Sequence, residues 1–285
     1  MTAPSRHFAC TQCGKCCDRA PEVELGEAAG LADVFVWQLL FRLYSLPRSV
    51  TDFPAAEAPR EQASAQFFES RKLLGAFAAH TFPGKTLVQG RPQQRTFYLT
   101  ISALAFDPLG SGCPALNGPL CSIHPRRPLT CRSVPLHYSR ALSFAAEDLD
   151  RFTATAGYAC ATAIDAPLVL ERGKVADPQI AAARADAAAG AERDAPWKAA
   201  LVKAMKRGDP RLPTLAQVEQ NAARGALTAP MLGGWEIAAE AGLLEQGRLE
   251  HLRQRQRAAL DQLSASPAIT LASAQAIAEQ RRTLA

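Results

Sequence analysis

Four of the eight cysteines in this 285-residue chain fall within eight positions: Cys10, Cys13, Cys16 and Cys17, in the order Cys-x2-Cys-x2-Cys-Cys. Thiolates two residues apart can meet on one tetrahedral ion, because the turn between them gives the separation that a metal–sulfur bond of ~2.3 Å requires. Gly14 lies inside the run, where a ligand turn often needs a backbone without a Cβ. If the segment winds as a helical turn, at ~100° per residue, Cys10, Cys13 and Cys17 fall within about 60° of one another and Cys16 lies about 60° further round. Three thiols would then face one point, and the fourth would serve a neighbouring metal or bridge to it. In an extended chain the adjacent pair would diverge.

A second set follows at Cys113, Cys121, Cys131 and Cys160, with 7, 9 and 28 residues between successive members. Pro125, Pro128 and Pro135 restrict the backbone around Cys131, and Arg127 and Arg132 place cations beside it. A nearby cation favours thiolate, and hence metal binding. Eight thiols could serve two four-coordinate sites, one site with thiols to spare, or one polynuclear centre. Cys160 could equally be an ordinary reduced thiol. His7, His124 and His137 lie near cysteines and could be ligands, although such residues are more often surface or hydrogen-bonded groups. Arg127 and Arg132 could hold an anionic substrate, but pairing with carboxylates or loop carbonyls is the commoner use. Soft thiolate ligands suit zinc and iron–sulfur clusters alike. The Cys-x2-Cys-x2-Cys start of a bacterial ferredoxin run is present, but Ala20 stands where its fourth cysteine would be.

Phe8-x-Cys10-x2-Cys13-Gly14-x-Cys16-Cys17, followed by Cys121-x-Ile123-x3-Arg127-Pro128-x2-Cys131-Arg132, resembles the YkgJ-type cysteine cluster family. That family is described as a zinc- or iron-chelating domain, and its motif is shared with flagellin lysine N-methylases. The resemblance spans roughly residues 8–160. It implies that Cys10, Cys13, Cys16, Cys17, Cys113, Cys121 and Cys131 are metal ligands, with Arg127, Pro128 and Arg132 as the signature around them. His124 stands where an aromatic is commoner in the family. The Cys-x3-Cys-x2-Cys order of a radical enzyme that cleaves S-adenosylmethionine is missing, and no glycine-rich methyl-donor loop stands out, so the residues lend a methylase reading little support.

The elements that must position these thiols are read from periodicity. Leu31, Val34, Phe35, Gln38, Leu39, Arg42 and Leu43 follow helical spacing, with Pro47 ending the segment. A second helix is expected over 62–80, and strands over 86–89 and 95–102 with a turn at 90–92. Residues 110–135, rich in Gly, Pro and Cys, form a stretch too long for a structureless loop unless a metal ties it down. A helix is expected over 141–160, ending near Cys160. After residue 176 the composition shifts to Ala, Arg, Gln and Glu, with helices over 180–195, 197–207, 215–224, 235–263 and 273–284. The expected fold class is therefore mainly α with a minor β-hairpin component. Residues 1–175 would form a metal-pinned, irregular cysteine domain and residues 176–285 a helical region, either layered on it or separate.

Hydrophobic residues make up 48% of the chain, enough for a sizeable core. With 32 Lys and Arg against 27 Asp and Glu, the net charge of +5 is too dilute to point to nucleic acid. No stretch approaches the ~20 apolar residues of a membrane span. The first residues carry no apolar signal segment, so a cytoplasmic location with reduced thiols is expected. The functional expectation is a protein that chelates zinc or iron, including as an iron–sulfur cluster, through all eight cysteines. The alternatives are a metal- or cluster-dependent enzyme acting on a protein, N-methylase-like or redox, and a metal carrier.

Overall fold

The computed structural model describes residues 5–17, 19–53, 60–110, 112–222, 225–265 and 269–284. In chain order the elements are β1 (Arg6–His7), β2 (Glu22–Val23), α1 (Leu25–Gly30), β3 (Trp37–Pro47), α2 (Arg60–Phe77), β4 (Ala78–Val88), β5 (Arg91–Ala105), β6 (Leu116–Asn117), β7 (Leu120–Cys121), α3 (Leu129–Arg132), α4 (Ala145–Thr153), β8 (Leu168–Glu171) and β9 (Lys174–Val175). Then follow α5 (Pro178–Arg207), α6 (Leu215–Asn221), β10 (Leu227–Pro230), α7 (Met231–Glu240), α8 (Gln246–Ser264) and α9 (Leu271–Thr283).

The expectation of a mainly α fold is overturned. The scaffold is an antiparallel five-stranded sheet in the order β10-β3-β5-β2, with β4 also paired to β5, and two smaller sheets accompany it. The fold is mixed α/β. The difference lies in residues 31–47, whose apolar positions fit a helix and a strand at once. In β3, Trp37, Leu39, Leu40 and Phe41 are all buried, so both faces of the strand are covered near its start and the alternation that would mark a strand disappears. Pro47 closes the strand in register with Arg95 and does not end a helix.

The hairpin expected around residue 90 is present but longer. β4 and β5 pair from Val88↔Arg91 back to Ala78↔Thr100. Gln89 and Gly90, at φ 50° and 76°, form the two-residue turn, whose positive φ values match the twist of the strands. α2 fills most of the helix expected over 62–80. The helices expected over 180–195 and 197–207 are one element, α5, which runs through Pro196. The helix expected over 235–263 is two, α7 and α8, separated at Ala241–Glu245. Of the helix expected over 215–224, positions 223 and 224 lie outside the described residues.

The main hydrophobic core draws on both halves of the chain. Trp37, Phe41 and Ile101 from the sheet pack in one cluster with Leu201 of α5, Trp235 of α7 and Leu252 of α8. Burying each such side chain contributes about 1.5–3 kcal/mol. Gln256 locks α8 to the segment before β3: its Oε1 accepts from the Trp37 N–H at 2.7 Å, and its Nε2 donates to the carbonyls of Ala32 at 2.9 Å and Phe35 at 2.7 Å. Among the described residues no helix is long and apolar enough to cross a membrane.

Candidate functional site

Three local devices carry the cysteines toward one place. The first is an antiparallel pairing of the N-terminal segment with residues 159–170. β1 pairs with β8, the Phe8 N–H donates to the Pro167 carbonyl at 2.9 Å, and Ala9 and Ala161 exchange backbone hydrogen bonds of 2.8 and 3.1 Å. The Thr11 hydroxyl extends the pairing to the Ala159 carbonyl at 2.7 Å. Cys10 is thereby laid alongside Cys160. Phe8 anchors this edge in a small hydrophobic cluster with Leu149 and Val169, against which Cys160 packs.

The second device is the β6–β7 hairpin, in which Leu116 opposes Cys121. It is tied to the first cysteine run at two points. The Cys113 N–H donates to the Cys17 carbonyl at 2.9 Å. Gly14, at φ 73°, lies so close to Pro119 that a Cβ would stand 3.0 Å from its Cα and carbonyl oxygen. The glycine is thus required both by its backbone angle and by the contact. The third device is α3. Pro128 starts it, and the Glu27 carboxylate caps its first turn, Oε1 accepting from the Leu129 N–H at 2.6 Å. Cys131 sits in this turn. Burial pushes the Glu27 carboxyl up to about 6, and its Oε2 has no hydrogen-bond partner.

All eight cysteines line a single cavity of about 820 Å³. All are free thiols; Cys10 is exposed and the other seven are half-buried. Their electrostatic neighbourhoods overlap. Cys17 senses Cys131, Cys113 and Cys121, and Cys160 senses Cys16, Cys13 and Cys10. Cys131 senses Cys16 as well as Cys113 and Cys121, so Cys16 and Cys17 stand between the two sets. A hydrogen bond between these two thiols, followed by burial, raises Cys16, and the same bond lowers Cys17. Burial pushes Cys131 up to about 12, helped by the neighbouring cysteines and opposed by Arg127. Cys13 is lowered, first by a backbone hydrogen bond from Ala159 and then by one from Lys15.

The helical-turn geometry expected of the first run does not occur. Residues 10–13 are not helical, and only Lys15–Cys17 form a turn of 3-10 helix. Among the described residues, no group of three or more His, Cys, Asp or Glu side chains has the arrangement that would hold a metal ion. The three histidines are engaged elsewhere. His7 Nδ1 lies 2.7 Å from the Ala166 carbonyl and His124 Nε2 lies 3.3 Å from Arg127. His137 contacts the Thr130 and Ser139 hydroxyls at 2.6 and 2.7 Å, and burial holds it down to about 4. Arg127 and Arg132 both line the cavity.

The sequence reading did not single out Glu27, the cap of α3, or Asp177 and Gln179 at the start of α5, which also border the cavity. An isolated acidic residue 104 positions from the cysteine it supports gives no local signal. No family model matches the chain, and no curated protein or solved structure gives a match. The resemblance to the YkgJ-type cluster accordingly rests on the quoted motif residues alone.

Proposed function

We propose that this chain binds zinc or iron through its eight cysteines, in two four-thiol groups: Cys10, Cys13, Cys16 and Cys160, and Cys17, Cys113, Cys121 and Cys131. The observation that carries the reading is the gathering of all eight cysteines, separated by up to 150 positions, around one cavity. Cys113, Cys121 and Cys160 pack against hydrophobic clusters, but a gathering of eight goes beyond core packing, since free cysteines are usually buried as small hydrophobes rather than collected. The donor set fits a soft metal: it is all sulfur, and Arg127 and Arg132 on the wall offset the negative charge of a tetrathiolate site. Ligation would require the thiols to lose protons and draw together. A bound ion would cross-link the N-terminal run to the β6–β7 hairpin and α3. A reducing compartment such as the cytoplasm is consistent with eight free thiols.

The test is purification without oxygen, followed by visible absorption, elemental analysis and acid-labile sulfide on one sample. The expected result is either about two zinc ions per colourless chain or a brown chain containing iron and sulfide. Neither zinc nor iron would overturn the reading. Cys13→Ser and Cys131→Ser each remove one group's metal, with a lower melting temperature; full metal retention in both variants would refute the ligand assignment.

The exposure of Cys10 favours one further role, that of a carrier passing on the ion of its own group. Rapid loss of half the metal to a mild chelator, with the fold retained, would support it. Equal resistance of both groups would refute it.

A further inference from the structure

Cys10 and Cys160 stand opposite one another in the pairing that docks the N-terminal segment on residues 159–170. Ala9 and Ala161 exchange both backbone hydrogen bonds, at 2.8 and 3.1 Å, and so form a hydrogen-bonded antiparallel pair. One step along, Cys10 faces Cys160 as a pair of the other kind, without hydrogen bonds between the two. In such a pair the Cα atoms come to about 4.5 Å and the side chains lie closest. Directly opposed side chains also share one face of the ladder. A disulfide needs a Cα separation of about 4.4–6.8 Å and Cβ vectors that do not point apart, and this position offers both.

The pair is held from both sides. Behind it lies the Ala9–Ala161 bridge, and ahead of it the Thr11 hydroxyl donates to the Ala159 carbonyl at 2.7 Å. The two thiols are near enough to sense each other electrostatically. Among the described residues no other two cysteines oppose one another in a strand pairing; Cys121 of β7 faces Leu116. The surroundings of the two differ. Cys10 is exposed, with its Sγ accepting from the Gln12 N–H at 3.4 Å, whereas Cys160 is half-buried against the cluster that holds Phe8. A reagent from solution therefore meets Cys10 first, and Cys160 is placed to attack whatever Cys10 then carries.

We propose that Cys10 and Cys160 are a reversible redox pair, oxidised to a disulfide by a small-molecule disulfide of the glutathione type. The Cys10 thiolate attacks one sulfur of oxidised glutathione, forming a mixed disulfide and releasing one glutathione thiolate, which takes up the proton. The Cys160 thiolate then attacks the Cys10 sulfur and expels the second glutathione. Two protein thiols become one disulfide, and one glutathione disulfide becomes two thiols, so two electrons and two protons pass to it. Exposed disulfides are the labile ones, and excess reduced glutathione reverses the exchange. In the metal reading both cysteines belong to one four-thiol group, so the bridge removes two of its donors. That consequence rests on the metal reading, whereas the bridge itself stands without it.

The full chain, purified without oxygen and stripped of metal by a chelator, is incubated with oxidised glutathione, blocked with iodoacetamide and digested for mass spectrometry. The expected result is the loss of two of the eight thiols, a peptide pair joining Cys10 to Cys160, and the return of both thiols on adding reduced glutathione. Cys160→Ser should retain one glutathione on Cys10, because nothing resolves the mixed disulfide. Cys10→Ser should carry neither a bridge nor glutathione at Cys160. Near-UV circular dichroism establishes that each variant is folded, and if one is not, the other decides together with the native peptide map. No bridge in the native chain, a bridge that joins other cysteines instead, or no adduct on Cys10 in folded Cys160→Ser would overturn the proposal. Absence of zinc and iron from the chain as purified would overturn the metal reading alone, since the oxidation is followed on metal-free protein.

Discussion

The Lys198–Glu24 pair shows what burial does to charge in this protein. The two side chains are 4% and 7% exposed and 2.6 Å apart, so each charge is tolerated only because of the other. Lys198→Met alone should lose about 3–5 kcal/mol at neutral pH, since it strands a buried carboxylate. The double variant Lys198→Met/Glu24→Gln should recover most of that loss in urea denaturation. Burial already raises Glu24, so the penalty of the single variant should shrink in acid, as the stranded carboxyl takes up a proton. Asp209 behaves in the opposite way. Its hydrogen bond from Arg211 holds it down to about 2, below its unfolded value of about 4. Its contribution is therefore complete above about pH 4 and is lost as the pH falls toward about 2. Asp209→Asn should be less stable than the native chain at pH 7, and the difference should narrow across that window. At this scale the sequence exposed the thiols but not their grouping. Cysteine spacing is visible in a string of letters, whereas the approach of Cys160 to the first run depends on a strand pairing between residues far apart in the chain.

Elements explain how so irregular a region keeps its shape. Gly14 presses on Pro119 at an angle that other residues rarely adopt, so Gly14→Ala should push the first cysteine run off the β6–β7 hairpin. The expected outcome is reduced metal content together with a lower melting temperature, both measured on protein purified without oxygen. Gln256 satisfies three backbone groups of the turn into β3. Gln256→Ala should cost about 3 kcal/mol by chemical denaturation, because buried donors and acceptors lose their partners together. The helices of the later half were legible because their periodicity is long and their ends carry Gly or Pro. β3 was not legible, because a strand buried on both sides leaves no alternating pattern to read. On local grounds Pro196 divides α5 in two. Packing overrides that break: Ala187, Ala191 and Asp194 are buried on one side of the proline, and Lys198, Leu201 and Met205 on the other.

Across the whole molecule, α5 is the common support. Its 30 residues span about 45 Å, and it touches α1, α2, α3, β4 and α7. Its first turn borders the cysteine-lined cavity through Asp177, Gln179 and Ile180, and Lys198, five turns on, borders a second cavity between β3, β5 and α2. If a metal ties the N-terminal run to this frame, chelation should lower the melting temperature of the native chain and leave Cys13→Ser/Cys131→Ser little changed. Differential scanning fluorimetry with and without chelator measures both.

The pairing of residues 6–11 with 159–170 also sets a clock on biosynthesis. A ribosome adding roughly 5–20 residues per second takes about 8–30 s to travel from Cys10 to Cys160. Throughout that interval the first four thiols are outside or leaving the exit tunnel with their later partners still unmade, exposed to oxidants and to any ion that binds four cysteines in a row. The arrangement of eight can therefore form only after Cys160 has been made.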